Sequence, residues 1–155
     1  YRDPRDVVMS EAYYLANMNR WHSMHRTFSR IASEEERVRL CIEGTGDAHF
    51  PDVTRRLIDY VGWLEDPQTV AVRYEDLYGA DRAQEIERII SRYETLSGSA
   101  ITAMKRTAVL EAIDPSRSHT YRSGGTEKWR GQMSAENQAL FSDFGRPLLA
   151  ALGYQ

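Results

Sequence analysis

Thr69-Val70-Ala71-Val72-Arg73-Tyr74 is the stretch that decides how this 155-residue chain is read. Its β-branched residues follow the turn-forming Asp66-Pro67, and such a run predicts a strand. Every long segment on either side carries helical signals instead. One strand set among helices predicts an α/β protein. One strand makes no sheet, so its neighbours are expected from an upstream polypeptide or a partner chain.

Toward the N-terminus, Pro51-Asp52 opens a helix whose Val53, Leu57, Ile58, Val61 and Leu64 form an apolar stripe. Further back, Ser33 before Glu34-Glu35-Glu36 is an N-cap with acids on the positive end of the helix dipole, and Gly44 marks the stop. The first helix starts at Asp3, with Pro4 at its first position and Asp6 three residues after the cap. Val8, Ala12 and Leu15 then keep a helical period to about Arg20. Toward the C-terminus, Ile86, Ile89, Ile90 and Tyr93 predict a helix ending near Gly98, and another runs from about Ser99 to Ile113. Residues 114–128 read as a polar loop, and Ser134 caps a last helical region in which Leu140, Phe141, Phe144, Leu148 and Leu149 pack inward. The whole of 1–155 reads as a single domain.

Composition narrows the function classes. A net charge of −3 argues against a chain built to hold nucleic acid, because phosphate backbones require a basic surface. A small anion remains possible, since it needs only two or three placed cations. No stretch approaches the roughly 20 apolar residues that span a bilayer, so no membrane segment is expected. The single Cys41 excludes an internal disulfide and reads as an inert thiol; a reducing, cytoplasmic setting is expected.

Two constellations carry chemistry. In Arg2-Asp3-Pro4-Arg5-Asp6-Val7-Val8-Met9-Ser10 an arginine precedes a capped helix and a serine lies two turns along, so a phosphate there would meet a guanidinium fork, a hydroxyl and the helix dipole. Spacing alone also fits a capped helix with a surface Arg2 and an exposed Ser10. In Tyr121-Arg122-Ser123-Gly124-Gly125-Thr126-Glu127-Lys128-Trp129-Arg130 a glycine-bearing loop can bring backbone N–H groups to an anion beside Arg122. A surface loop anchored by Trp129 is the alternative there.

Taken together, in order and over nearly the whole chain, these segments resemble the sulfotransferases that use 3′-phosphoadenosine-5′-phosphosulfate (PAPS). That family carries an Arg-x-Pro-Arg/Lys-Asp run with a serine eight residues after the first arginine, as Arg2 and Ser10 stand here. It also carries an Arg-Lys-Gly loop with a tryptophan seven residues on, as Arg122, Gly124 and Trp129 stand, and a Tyr-Glu-Asp-Leu segment, as at Tyr74-Glu75-Asp76-Leu77. Ser99, Ile101 and Met104-Lys105 echo an adenine-closing segment more weakly, and Phe144-Gly145-Arg146-Pro147-Leu148-Leu149 is like the closing helix of bacterial members.

The resemblance implies an α/β fold related to P-loop kinases, a parallel sheet with flanking helices, of which this chain is the C-terminal part, mostly helical with one central strand. It implies a sulfotransferase moving a sulfuryl group from PAPS to a hydroxyl or amine of a small-molecule or glycan acceptor, with 3′-phosphoadenosine-5′-phosphate as product. By the same resemblance Arg2, Ser10 and Arg122 hold the 3′-phosphate, with Ser123 beside them. Tyr74 lies against the adenine at the strand's C-terminal end, and Gly124 offers backbone approach. Ser123 replaces a frequent lysine, and Glu127-Lys128 replaces a glycine and an acid, so Lys128 offers a substitute cation. The family's phosphosulfate loop and general base lie upstream of the Arg2 motif and are not in this sequence, so no catalytic residue is assigned and these residues alone are expected not to turn over. A nucleotide-kinase relative and a non-catalytic helical interaction module are the alternatives. His22 and His25 have ligand-like spacing without a third partner, so no metal site is assigned. His49 and His119 show no partner in the sequence.

Overall fold

The structure is a computed structural model, and it describes residues 1–112 and 125–155. The elements are α1 (Pro4–Asn17), α2 (His25–Phe28), α3 (Glu34–Glu43), α4 (Val53–Leu57) running into a 3₁₀ helix (Ile58–Leu64), α5 (Tyr74–Tyr78), α6 (Arg82–Ser97), α7 (Ala103–Ala112), α8 (Trp129–Gln132), α9 (Ala135–Phe144) and α10 (Arg146–Leu152). They fall into two compact units.

The larger unit holds residues 2–65 and 127–155. Its helices begin where short polar side chains can take the orphan N–H groups of the first turn. Asp3 accepts from the Arg5 amide, Ser33 from Glu36, Asp52 from Arg55 and Ser134 from Asn137. α1 packs on α2, α3 and α8, α3 packs on α9, and α10 closes over α4 and the 3₁₀ helix. Between them lies a core of Val8, Ala12, Leu15, Phe28, Val38, Cys41, Ile42, Phe50, Val53, Phe141 and Leu148. Phe28 and Phe50 meet edge to face with centroids 5.6 Å apart, the favoured geometry for two ring quadrupoles.

α1 stops at Asn17, short of the expected Arg20. The asparagines are the cause: Asn17 Nδ2 donates to the Tyr13 carbonyl, and the Asn19 side chain accepts from the Trp21 amide, bonds that compete with the helical ladder. The helix after Asp52 tightens to 3₁₀ from Ile58, where the β-branched Val61 and Gly62 are poor α-formers.

The smaller unit comprises Tyr1 and residues 66–126. α6 lays Ile86 and Ile90 inward and ends at Gly98, whose left-handed φ of 65° suits a residue without Cβ. α7 folds back on α6, and Arg106 joins the two by ion pairs to Glu87 and Glu94.

The α/β expectation is corrected here: the described residues form helices and contain no strand or sheet. Residues 69–73 lie in neither helix nor strand, and Tyr74, expected at a strand's end, is instead the first residue of α5. The physical reason lies in where the stretch's backbone groups go. Arg88 on α6 donates to the Ala71 carbonyl at 2.5 Å, and Arg92 on the same helix donates to the Pro67 carbonyl. Tyr1 brackets Arg73, its amino group donating to the Val72 carbonyl and its own carbonyl accepting from the Tyr74 amide, both at 2.7 Å. That is one residue's step of strand-like pairing, and guanidinium groups take two further carbonyls, those of Pro67 and Ala71. β-propensity measures fit to a pleated neighbour more than a preference of the chain itself, and among the described residues that neighbour is a helix.

Candidate functional site

The start of α1 is built from charges that face one another. Arg5 Nε donates to Asp3 Oδ1 at 2.9 Å and Arg5 Nη2 to Asp3 Oδ2 at 2.7 Å, a planar fork on a carboxylate, with both residues buried. Asp6 has only 1% of its surface exposed. Its Oδ2 accepts from Arg2 Nη2 at 3.3 Å, and its Oδ1 accepts from the backbone N–H of Trp129 at 3.0 Å. A buried carboxylate is costly unless its lone pairs are met, and here donors separated by most of the chain meet them.

Trp129 opens α8 and is nearly buried. The Arg5 guanidinium carbon lies 3.8 Å from a Trp129 ring centroid and that of Arg130 lies 4.6 Å away, both within cation–π range. Arg130 also pairs with Glu127 at 3.0 Å, and Glu127 takes a left-handed φ of 55°, uncommon for a residue with a Cβ. The Trp129 indole N–H is buried and has no hydrogen-bond partner among the described residues. The larger unit therefore brings the Arg2–Ser10 segment together with Glu127–Arg130, the last residues of the Tyr121–Arg130 segment singled out from sequence.

The individual predicted residues fare as follows. Arg2 stands just ahead of α1, its side chain 22% exposed. Ser10 is exposed on α1, one turn beyond Asp6, or about 6 Å along the axis. Arg2, Asp6 and Ser10 thus recur every fourth residue along one side of the start of α1. Tyr74 belongs to the smaller unit, half-buried, its ring 4.4 Å from that of Tyr78. The strand end assigned to it does not exist. Arg122, Ser123 and Gly124 lie outside the described residues, as does His119.

Sequence reasoning missed the residues that join the two segments. Arg5 and Asp6 were legible only as helix-start charges. The available signal was the i, i+4 spacing of Arg2 and Asp6, with a tryptophan far along the chain needing a partner. It also missed that His49 has a partner: His49 Nδ1 lies 2.8 Å from Asp47 Oδ1 in the turn between α3 and α4. The His49 amide first, and then its ring, hold the Asp47 carboxyl below the usual carboxylate range. His22 accepts from the Met24 amide, and His25 Nδ1 sits 2.8 Å from the Leu15 carbonyl, so both histidines serve the turn after α1. No group of three or more His, Cys, Asp or Glu side chains is placed for a metal among the described residues. No helix among them is long and apolar enough to cross a membrane.

Compared with family models, curated proteins and solved structures, the chain finds no match.

Proposed function

We propose that the larger unit carries the 3′-phosphate grip of a sulfotransferase using PAPS, acting on a hydroxyl or amine of a small-molecule or glycan acceptor in a reducing, cytoplasmic setting. One observation carries the reading: two segments 123 residues apart in sequence are tied by the Asp6–Trp129 hydrogen bond and by Arg5 lying over the Trp129 ring. A structural helix start needs a cap, which Asp3 supplies. It does not need a second buried carboxylate holding a distant loop in place.

In this reading Asp6 and Arg5 are positioning groups. They hold Trp129, seven residues after Arg122 in the sequence, against the start of α1; Arg122, Ser123 and Gly124 are assigned to the grip on the strength of their sequence motif alone. Arg2 supplies charge and Ser10 a hydroxyl, beside the positive end of the α1 dipole. Such a grip orients the nucleotide, and orientation is a large part of what a sulfuryl or phosphoryl transfer asks of a protein. Tyr74 is proposed as an adenine contact on the strength of its sequence motif alone. The helical character of the described residues favours one second reading, a non-catalytic helical interaction module.

Calorimetric titration with 3′-phosphoadenosine-5′-phosphate, 5′-AMP and ADP tests the proposal. The 3′-phosphorylated nucleotide should bind best, and Arg2→Ala and Arg122→Ala should each weaken it by about 1.5–3 kcal/mol, the scale of hydrogen bonds to charged groups. Equal affinity with and without the 3′-phosphate sinks the proposal. A preference for ADP points to a nucleotide-kinase relative, and no binding of any nucleotide leaves the interaction module.

A further inference from the structure

Residues 12–33 contain no aspartate or glutamate, although acids outnumber bases in the chain as a whole, 23 to 20. The stretch holds Arg20, Arg26 and Arg30, all exposed. None of the three makes an ion pair or a side-chain hydrogen bond among the described residues. Every other arginine among those residues holds a carboxylate, carbonyl or hydroxyl oxygen. Among the described residues the uncommitted guanidinium groups are thus gathered in one short segment.

Local geometry turns them outward. Phe28 is wholly buried and fixes the inner side of α2. Arg26, two residues before Phe28 on the same helix, lies about 200° around it and so projects from the opposite side, and Arg30, in the turn just beyond α2, is exposed. In the turn before α2, Trp21 is 98% exposed beside Arg20. A large indole left almost entirely in water is the unusual feature, since tryptophan ordinarily buries most of its surface.

We propose that this segment, from Arg20 to Arg30, is a peripheral docking surface for anionic lipid. An indole with an apolar body and a polar N–H prefers the bilayer interface, and unpaired arginines there meet the negative surface potential of acidic headgroups. The segment is too short and too polar to insert, which leaves reversible attachment. An anionic polymer would also suit the arginines. However, a long polyanion must continue past the segment onto a chain of net negative charge, whereas a bilayer requires only the local patch, the acids elsewhere being screened beyond a Debye length of about 8–10 Å. The inference stands apart from the nucleotide reading and uses none of its residues.

The test is co-sedimentation of the chain with vesicles of phosphatidylcholine alone or with about one third phosphatidylserine, at low and high salt. Binding is expected only to the anionic vesicles, weakening with salt, with quenching of tryptophan emission by brominated lipid that disappears in Trp21→Ala. Each cation near an anionic surface contributes about fivefold, so Arg20→Gln, Arg26→Gln and Arg30→Gln together should lower partitioning roughly a hundredfold. All the substituted side chains are exposed, and circular dichroism should show an unchanged helical signal. The comparison of lipid compositions requires no variant at all. Equal binding to neutral vesicles, full binding by the triple variant, or retention on heparin or single-stranded DNA without vesicle binding would each overturn the proposal.

Discussion

Removing the Asp6 carboxylate should loosen the larger unit by more than an ordinary surface change, and the structure sets the scale. Asp6→Ala leaves the Trp129 backbone N–H, held at 3.0 Å from Oδ1, without its acceptor. An orphaned buried donor costs about 1–3 kcal/mol. The Arg2 pair at 3.3 Å is lost as well. Because the Arg2 side chain reaches water, that loss is worth at most about 1 kcal/mol. The sum is about 1–4 kcal/mol, or roughly 2–15 °C in melting temperature for a chain of this size.

Asp6→Asn separates the two contributions, because the amide oxygen can still accept from Trp129 while the charge on Arg2 goes unanswered. About 1 kcal/mol should be lost in that variant. Urea unfolding followed by near-ultraviolet circular dichroism reads the change, and hydrogen exchange at the Trp129 amide should accelerate in Asp6→Ala and far less in Asp6→Asn. Asp143→Ala is the control, an exposed acid on α9 whose removal should stay within about 0.5 kcal/mol. If Asp6→Ala proves no more costly than that control, Asp6 does not hold the two segments together, and the proposed grip loses its positioning residue.

Three further outcomes are expected. Gly44→Ala should destabilise by about 3 kcal/mol or more in urea titration, because φ 75° with ψ −177° is a conformation essentially reserved for glycine and a Cβ there would stand 2.5 Å from the Pro51 carbonyl carbon. Arg56→Ala should cost about 2–4 kcal/mol, since that guanidinium pairs with Glu11 at 2.8 Å, donates to the Cys41 carbonyl at 2.7 Å and stacks on Phe50. The Cys41 thiol, whose ionisation burial and the nearby Glu11 oppose, should then become open to a thiol reagent; unchanged labelling would count against this. The Ile101 amide, and after it Arg106, hold the Glu94 carboxyl below the usual carboxylate range. A depressed folded-state value means the contribution is complete above the ordinary carboxylate pKa and is lost as pH falls through the lowered one, so Glu94→Gln should remove a component of the acid-induced loss of helical signal, and superimposable acid curves would refute it.

The helix starts were legible because their causes are local. Asp3, Ser33, Asp52 and Ser134 each satisfy an N–H two or three residues away, and such a bond can be read from spacing. Gly44 and Gly98 at helix ends are equally local, both adopting positive φ. The absence of a strand at Thr69–Tyr74 was not legible, because a strand is completed by partners distant in sequence. Nothing in Val70-Ala71-Val72 says that Arg88 will meet the Ala71 carbonyl, and an arginine on α6 reads equally well as a solvated charge.

The candidate site falls between these cases. Arg2 and Ser10 could be singled out because they lie on one local helix start. The residues that tie this start to Trp129 could not, since Asp6 looks like one more acid favouring the helix dipole until its 1% exposure is known. Burial changes its chemistry: in water the carboxylate would be content alone, whereas in the interior it must recruit donors. Arg2 and the Trp129 amide are those donors. An acid in a first turn costs nothing to explain when exposed, so its burial is the property that turns a helix-start residue into a tether between segments.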